Sequence, residues 1–139
     1  MNWSFLSKWE PQALSVLRIV TAFLFMAHGA QKLFGFPAGQ QPGQRPPLAS
    51  TMGVGGLLEF VGGLLFLFGL FTRPVAFVLS GLMAAAYFIV HSKWFTGSFF
   101  PIVNRGELAA LYCFVFLFFA ANGGGRYSLD WLRRRGAAG

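Results

Sequence analysis

The sequence predicts an all-α integral membrane protein, a four-helix bundle of up-down-up-down topology with both termini on the cytoplasmic side. Three observations lead to it. The chain has 139 residues, of which 55% are hydrophobic and only 11% charged. Its apolar residues gather in four runs of helical length, divided by segments rich in Gly and Pro. Its Lys and Arg residues are distributed unequally between the two ends of those runs. A soluble helical bundle needs charged residues on its outward faces, which these runs lack, so the expected solvent is lipid. Eighteen Phe and eighteen Gly fit the same reading, because Gly is commoner in membrane helices than in soluble ones and aromatic bulk suits a lipid-facing surface.

The first run covers residues 14–34 and stops at a Gly/Pro/Gln-rich stretch, residues 35–47, that cannot continue a helix. It is longer than the apolar part of a secretory signal and lacks an A-x-A site, so it is read as a retained helix. The second run, 53–71, ends at Thr72, Arg73 and Pro74, and since Pro is well tolerated in a first turn the third run, 74–92, follows at once. A loop with Gly97, Pro101 and Asn104 leads to the fourth, 106–122. Runs of about 17 to 21 residues at about 1.5 Å each cover roughly 26 to 32 Å, the thickness of a hydrocarbon core. Residues 1–13, with Trp3, Phe5, Leu6 and Trp9 around Lys8, are expected to lie along the inner interface as an amphipathic segment, and 123–139 to form a basic cytoplasmic tail.

Orientation follows from charge. Lys8, Arg18, Arg73, Arg126, Arg133, Arg134 and Arg135 fall on one side, against Lys32, Arg45, Lys93 and Arg105 on the other, and the richer side is cytoplasmic. The net charge of +7 does not indicate nucleic acid, because the basic residues cap apolar runs and fill one tail instead of forming a stripe; membrane lipids are the expected partners. Cys113 is the only cysteine, which excludes an internal disulfide, a Cys-x-x-Cys redox pair and a cysteine zinc site. Nor is there a nicotinamide or flavin fingerprint, since Gly53, Gly55 and Gly56 open a membrane helix and do not close a strand-turn-helix unit.

Ionisable groups within membrane helices are costly and tend to face the bundle interior, paired or functional. On the first helix Thr21, His28, Gln31 and Lys32 share a face in the outer half. The second helix carries Glu59 in its outer third, bracketed by Gly55, Gly56, Gly62 and Gly63, which let another backbone approach. The third presents Ser80, Ala84, Tyr87 and His91 along one face, and the fourth begins with Asn104, Arg105 and Glu107. All four therefore contribute polar groups near the outer surface. Glu59 needs a cation, a hydrogen-bond donor or a proton, with Lys32, His28 and Arg105 as candidate partners. A purely structural Glu59–Lys32 pair that sets helix register is the alternative. His28 and His91 could be packing residues, or at similar depth could ligate haem. Glu107 and Arg105 also suit a helix cap and a head-group contact, and Tyr112 and Cys113 read as packing residues.

Several separated pieces resemble one known family. They are Arg18 followed by His28-Gly29-Ala30-Gln31-Lys32-Leu33-Phe34-Gly35; Glu59 with Gly62-Gly63; Gly69-Leu70-Phe71-Thr72-Arg73; Phe100-Pro101; Asn104-Arg105-Gly106-Glu107-Leu108; and Gly123-Gly124-Gly125-Arg126-Tyr127-Ser128-Leu129-Asp130. In this order they resemble the DoxX family of small bacterial four-helix membrane proteins. The family pattern commonly has a second Gly where Arg105 stands and Gly-Pro-Gly where Gly123-Gly124-Gly125 stands. The resemblance implies a bacterial inner-membrane protein linked to thiosulfate:quinone oxidoreduction, to quinone or catechol stress, or to membrane redox complexes.

The leading expectation is a redox component that binds a quinone or similar small apolar molecule in the outer half of the bundle. Glu59 and His28 would exchange protons with the head group, while Lys32, Gln31, Tyr87, His91, Arg105 and Glu107 would bind it or stabilise an oxyanion. A competing expectation is a non-catalytic membrane subunit that holds a partner redox enzyme. A third is proton-coupled transport by a homodimer joined through the glycine face of the second helix.

Overall fold

The computed structural model describes residues 3–37, 45–94 and 96–137, and among these the regular structure is entirely helical. A 3-10 helix, Ser4–Trp9, runs directly into α1, Glu10–Phe34. It is followed by α2, Thr51–Phe68, and by α3, Thr72–Ala86, which is prolonged by a π-helical turn, Tyr87–His91. A short α4, Pro101–Asn104, precedes α5, Glu107–Asn122, and α6, Leu129–Gly136, ends the described chain. Three helical stretches, Ser4–Phe34, Thr51–Phe68 and Thr72–His91, are long and apolar enough to cross a membrane; α5 is apolar but shorter.

The helix ends have local causes. α1 begins at Glu10, ahead of the apolar run, because Pro11 occupies the first turn, where a missing N–H costs nothing. Ser50 caps α2 by accepting from the Gly53 amide at 3.1 Å. α2 stops before its apolar run does, since Gly69 turns left-handed (φ 66°) and the Leu70 amide closes back on the Leu65 carbonyl at 2.9 Å. Ser128 caps α6 in turn, accepting from the Trp131 amide at 3.3 Å. The segment read as a tail is therefore helical through Gly136, a difference that arises because a cap and a docking site, both supplied by the fold, stabilise a helix too short to persist alone.

α1 packs along α2, and α3 along α5. A β-carbon added to Gly63 would meet Met26, and one added to Gly56 would meet Lys32, so α1 and α2 run in opposite directions. The closest approach lies at Gly29, where a β-carbon would sit 2.5 Å from the Phe60 amide nitrogen and 2.8 Å from the Gly56 carbonyl. Such contact between backbones is what small residues in apolar helices allow. Ser80 on α3 donates to the Cys113 carbonyl on α5 at 2.8 Å. All four helices share one core, in which Phe25, Phe66, Phe116 and Phe119 meet edge to face at ring separations of 4.8 to 5.1 Å. On the outside Phe23, Phe77 and Phe114 are 66%, 67% and 68% exposed, which suits a hydrocarbon solvent and not water.

Arg18 joins three elements. It is only 1% exposed, and its guanidinium donates from Nε to the Gly124 carbonyl at 3.1 Å, from Nη1 to the Phe66 carbonyl at 2.8 Å and to that of Leu67, and from Nη2 to the Tyr127 carbonyl at 2.7 Å. Arg18, counted by sequence with the charges of the richer side, is thus an interior residue of the bundle at that end. Its partners are carbonyls in the last turn of α2, where the negative helix pole favours a cation, and in the turn between α5 and α6. Beside it, Asp130 accepts from the Phe71 amide at 2.8 Å and from the Thr72 amide at 2.7 Å, capping α3 from α6. Burial pushes the Asp130 carboxyl up, but these amides and the Arg134 charge outweigh that effect and hold it below its ordinary value.

Two outcomes follow. Gly29→Ala should destabilise the protein by about 1–3 kcal/mol through backbone overpacking, whereas Gly81→Ala, with open space around the added carbon, should leave stability unchanged or raise it by up to about 1 kcal/mol; denaturation in mild detergent compares them. A carboxyl whose folded pKa is depressed contributes stability above its unfolded pKa, which is lost as pH falls through the folded value. The stability advantage of wild type over Asp130→Asn should accordingly be full at neutral pH and shrink as pH drops below about 4, as followed by melting temperature across an acid series.

Candidate functional site

At the far end of α1 and α2 from Arg18 lies a cavity of about 670 Å³. Phe25, Leu82, Met83, Ile89, Val90 and Leu108 supply apolar wall, and His28, Lys32, Glu59, His91, Arg105 and Tyr112 supply polar groups. Apolar walls with a few convergent polar groups are the usual form of a small-molecule site.

The centre of the cavity is an ion pair. Gly56 carries no side chain where Lys32 crosses α2, so the Lys32 stem lies against the α2 backbone and its ammonium reaches Glu59, three residues along: Lys32 Nζ stands 2.6 Å from Glu59 Oε1. Glu59 is 5% exposed, and its second oxygen, Oε2, is buried without a hydrogen-bond partner among the described residues. Lys32 keeps 27% side-chain exposure. An ionised carboxylate accepts at both oxygens, and leaving one buried and unmatched is costly. The pair fastens α1 to α2 and leaves one carboxylate oxygen unmatched among the described residues.

His91 stands on the π-helical turn that ends α3, and its Nδ1 lies 3.2 Å from the Asn104 carbonyl. A carbonyl can only accept, so Nδ1 carries the proton in the neutral ring and Nε2 is left with the lone pair. Asn104 organises the whole turn before α5: its Nδ2 donates to the Ser98 carbonyl at 2.8 Å and to the Tyr87 hydroxyl at 3.3 Å, and its Oδ1 accepts from the Gly106 amide at 2.8 Å. Tyr87 in turn donates to the Phe99 carbonyl. Arg105 follows with φ 60°, the left-handed conformation that favours Gly, which accounts for the second Gly expected at this position from the family pattern.

Five predicted site residues, His28, Lys32, Glu59, His91 and Arg105, line this one cavity. Gln31, Tyr87 and Glu107 do not: Tyr87 is buried and engaged with the 98–106 loop, and Glu107 is exposed on the first turn of α5. Tyr112, read as a packing residue, is part of the wall, standing edge-on to Phe25 at 5.3 Å and to His28 at 6.4 Å. The available signal was that it is the one hydroxylated residue in a run of Leu, Phe, Ala and Val. Thr51 and Met52, at the start of α2, also reach the cavity, whereas residues 38–44 of the preceding loop lie outside the described residues.

The DoxX family model matches residues 13–92, which takes in α1, α2 and α3. This chain belongs to the DoxX family. Among the relatives of this DoxX protein is an uncharacterized protein of Haemophilus influenzae, 44% identical over 125 residues, covering 90% of this chain and 93% of that one. The inner membrane protein YqjF of Escherichia coli is 33% identical over 136 residues, covering 91% and 96%. No solved structure matches the chain. The pieces that carry the DoxX resemblance sort into two places: Arg18, the Gly69 turn and the Gly123–Asp130 segment meet at one end, and His28, Lys32, Glu59 and Asn104–Arg105 at the other.

Removing one partner of the ion pair should separate fastening from any other role. Lys32→Met should cost about 2–3 kcal/mol by stranding the Glu59 carboxylate, below the figure for a fully enclosed pair because Lys32 is partly exposed, and adding Glu59→Leu should restore most of the loss. Denaturant titration of the single and double variants provides the comparison.

Proposed function

We propose that this DoxX-family membrane protein crosses the bacterial inner membrane four times in up-down-up-down order, with both termini in the cytoplasm. In this reading it is a redox-associated component that binds a quinone or similar small apolar molecule between Glu59, Lys32 and His91. The observation that carries the proposal is Glu59 Oε2, a buried acceptor without a partner among the described residues, on a side chain that lines a cavity with apolar walls. α5 covers about 24 Å at 1.5 Å per residue, and a bilayer can thin locally to match it. With Arg18 taken out of the count, Lys8, Arg73, Arg126 and Arg133–Arg135 still outweigh Arg45, Lys93, Arg105 and the paired Lys32, which supports the orientation.

The chemistry follows from the groups. Glu59 Oε2 accepts a hydroxyl proton of the reduced head group, and the remaining N–H donors of Lys32, with Arg105, stabilise the oxyanion that its loss leaves. His91 Nε2 and His28 are further proton acceptors, and the apolar walls take the ring and the start of its tail. A partner redox enzyme exchanges the electrons. A second reading, a non-catalytic subunit that holds such an enzyme, draws support from the use of Lys32–Glu59 and Arg18 as helix fasteners.

The test is equilibrium binding of a short-chain quinol and its quinone to protein purified in mild detergent, with mass spectrometry of co-extracted molecules and an absorption spectrum for haem. Glu59→Gln should weaken quinol binding about tenfold, the worth of one charge-assisted hydrogen bond. Undiminished binding in that variant, or no binding by wild type, would favour the subunit reading; recovery of a stoichiometric enzyme partner would then identify its role.

A further inference from the structure

A second cleft lies at the opposite end of the molecule, where α6 docks against the turn between α2 and α3. It holds about 410 Å³, and Arg73, Arg133 and Arg134 line it. By sequence Arg133–Arg135 is a basic run of the kind that commonly ends a chain as a solvated tail. The fold makes it part of a site, because α6 is clasped by Asp130, whose carboxylate caps α3 and whose amide donates to the Gly69 carbonyl at 2.9 Å. The arginines are thereby held around a concavity.

The charges of that cleft are unbalanced. Three guanidiniums face one carboxylate, and both oxygens of Asp130 are already engaged by the Phe71 and Thr72 amides. Arg133 lies over the Phe71 ring, its guanidinium carbon 5.2 Å from the ring centre. Among the described residues Arg73 makes one long hydrogen bond, 3.5 Å to the Asn122 carbonyl. Planar donors on three arginines suit a tetrahedral oxyanion. α6 also carries exposed apolar residues, Leu129 at 40% and Leu132 at 56%, and Phe71, in the cleft wall, is exposed as well. A short helix with exposed leucines and an arginine-rich last turn is suited to the plane between water and lipid.

We propose that this cleft binds a phosphate group, that of an anionic phospholipid head group, with the exposed apolar residues of α6 against the acyl region. An annular lipid would then be held at a defined place on the protein, beside the Asp130 clasp and away from the Glu59 cavity.

Native mass spectrometry of the full chain in neutral detergent tests this, using phosphatidylglycerol, phosphatidylcholine at equal concentration, and phosphatidylglycerol with excess sodium phosphate. One phosphatidylglycerol should be retained in preference to phosphatidylcholine, and sodium phosphate should not displace it. Arg133→Gln with Arg134→Gln should weaken retention about tenfold, while Arg135→Gln, whose guanidinium stacks on Trp131 at 4.7 Å outside the cleft, should change it less than about twofold. Arg73→Gln, on α3, is the second variant and should weaken retention without undocking α6. Equal retention of the two lipids, or an equal loss from Arg135→Gln and the double variant, would overturn the site; displacement by sodium phosphate would overturn the lipid as its source.

Discussion

The structure depends first on the burial of Arg18. A guanidinium removed from water needs acceptors in its own plane, and four backbone carbonyls meet it, two from the last turn of α2 and two from the segment after α5. Those of α2 lie where its helix pole is negative, and the other two in the turn that leads from α5 to α6. One side chain on α1 therefore ties the end of α2 to the turn before α6, and a Lys, with a single nitrogen, could not reach the same set. With α1 held against α2 at this point, the opposed helices keep the register that places Gly29 on the Phe60 backbone and Lys32 opposite Glu59. Lys32 is 14 residues, about 21 Å, farther along α1.

That distance divides the polar chemistry of the protein. At the Arg18 end nearly every polar group is consumed by backbone: Asp130 by two amides, Ser128 by an amide and a carbonyl, Arg18 by carbonyls. What remains unmatched there, among the described residues, is the buried Thr72 hydroxyl oxygen and the surplus of arginine around α6. At the other end the loop is equally well organised, through Tyr87 and Asn104, yet Glu59 Oε2 is buried without a partner among the described residues, on a side chain that lines the cavity. Buried groups matched to backbone fix a fold, and buried groups left unmatched beside a cavity are available to a ligand.

Much of the fold was legible in the chain. The order of the longer helices was legible, but the break read at Arg73-Pro74 falls earlier, at Gly69–Phe71, with Pro74 in the first turn of α3, and the loop read before α5 holds the short α4. His28, Lys32, Glu59, His91 and Arg105 could be placed at one depth by counting 1.5 Å per residue, and one cavity holds them all. Counting did not show which way a residue turns. Tyr87 shares a face with His91 but lies on a π-helical turn, where an extra residue per turn shifts the register, and it reaches the 98–106 loop instead of the cavity. Tyr112 was hidden for the converse reason, since among apolar neighbours a tyrosine reads as core.

By itself the sequence determined that the chain is helical and apolar enough for lipid, where its longer helices break, and that it belongs with DoxX proteins. These are matters of local composition and order, governed by backbone sterics and transfer of side chains between solvents. Only the tertiary structure decided that Arg18 is interior, that the arginine-rich end is a docked helix, and that one Glu59 oxygen is buried without a partner among the described residues. Each depends on partners 48 or more residues away, or on their absence, and no local rule reports what the distant chain will bring.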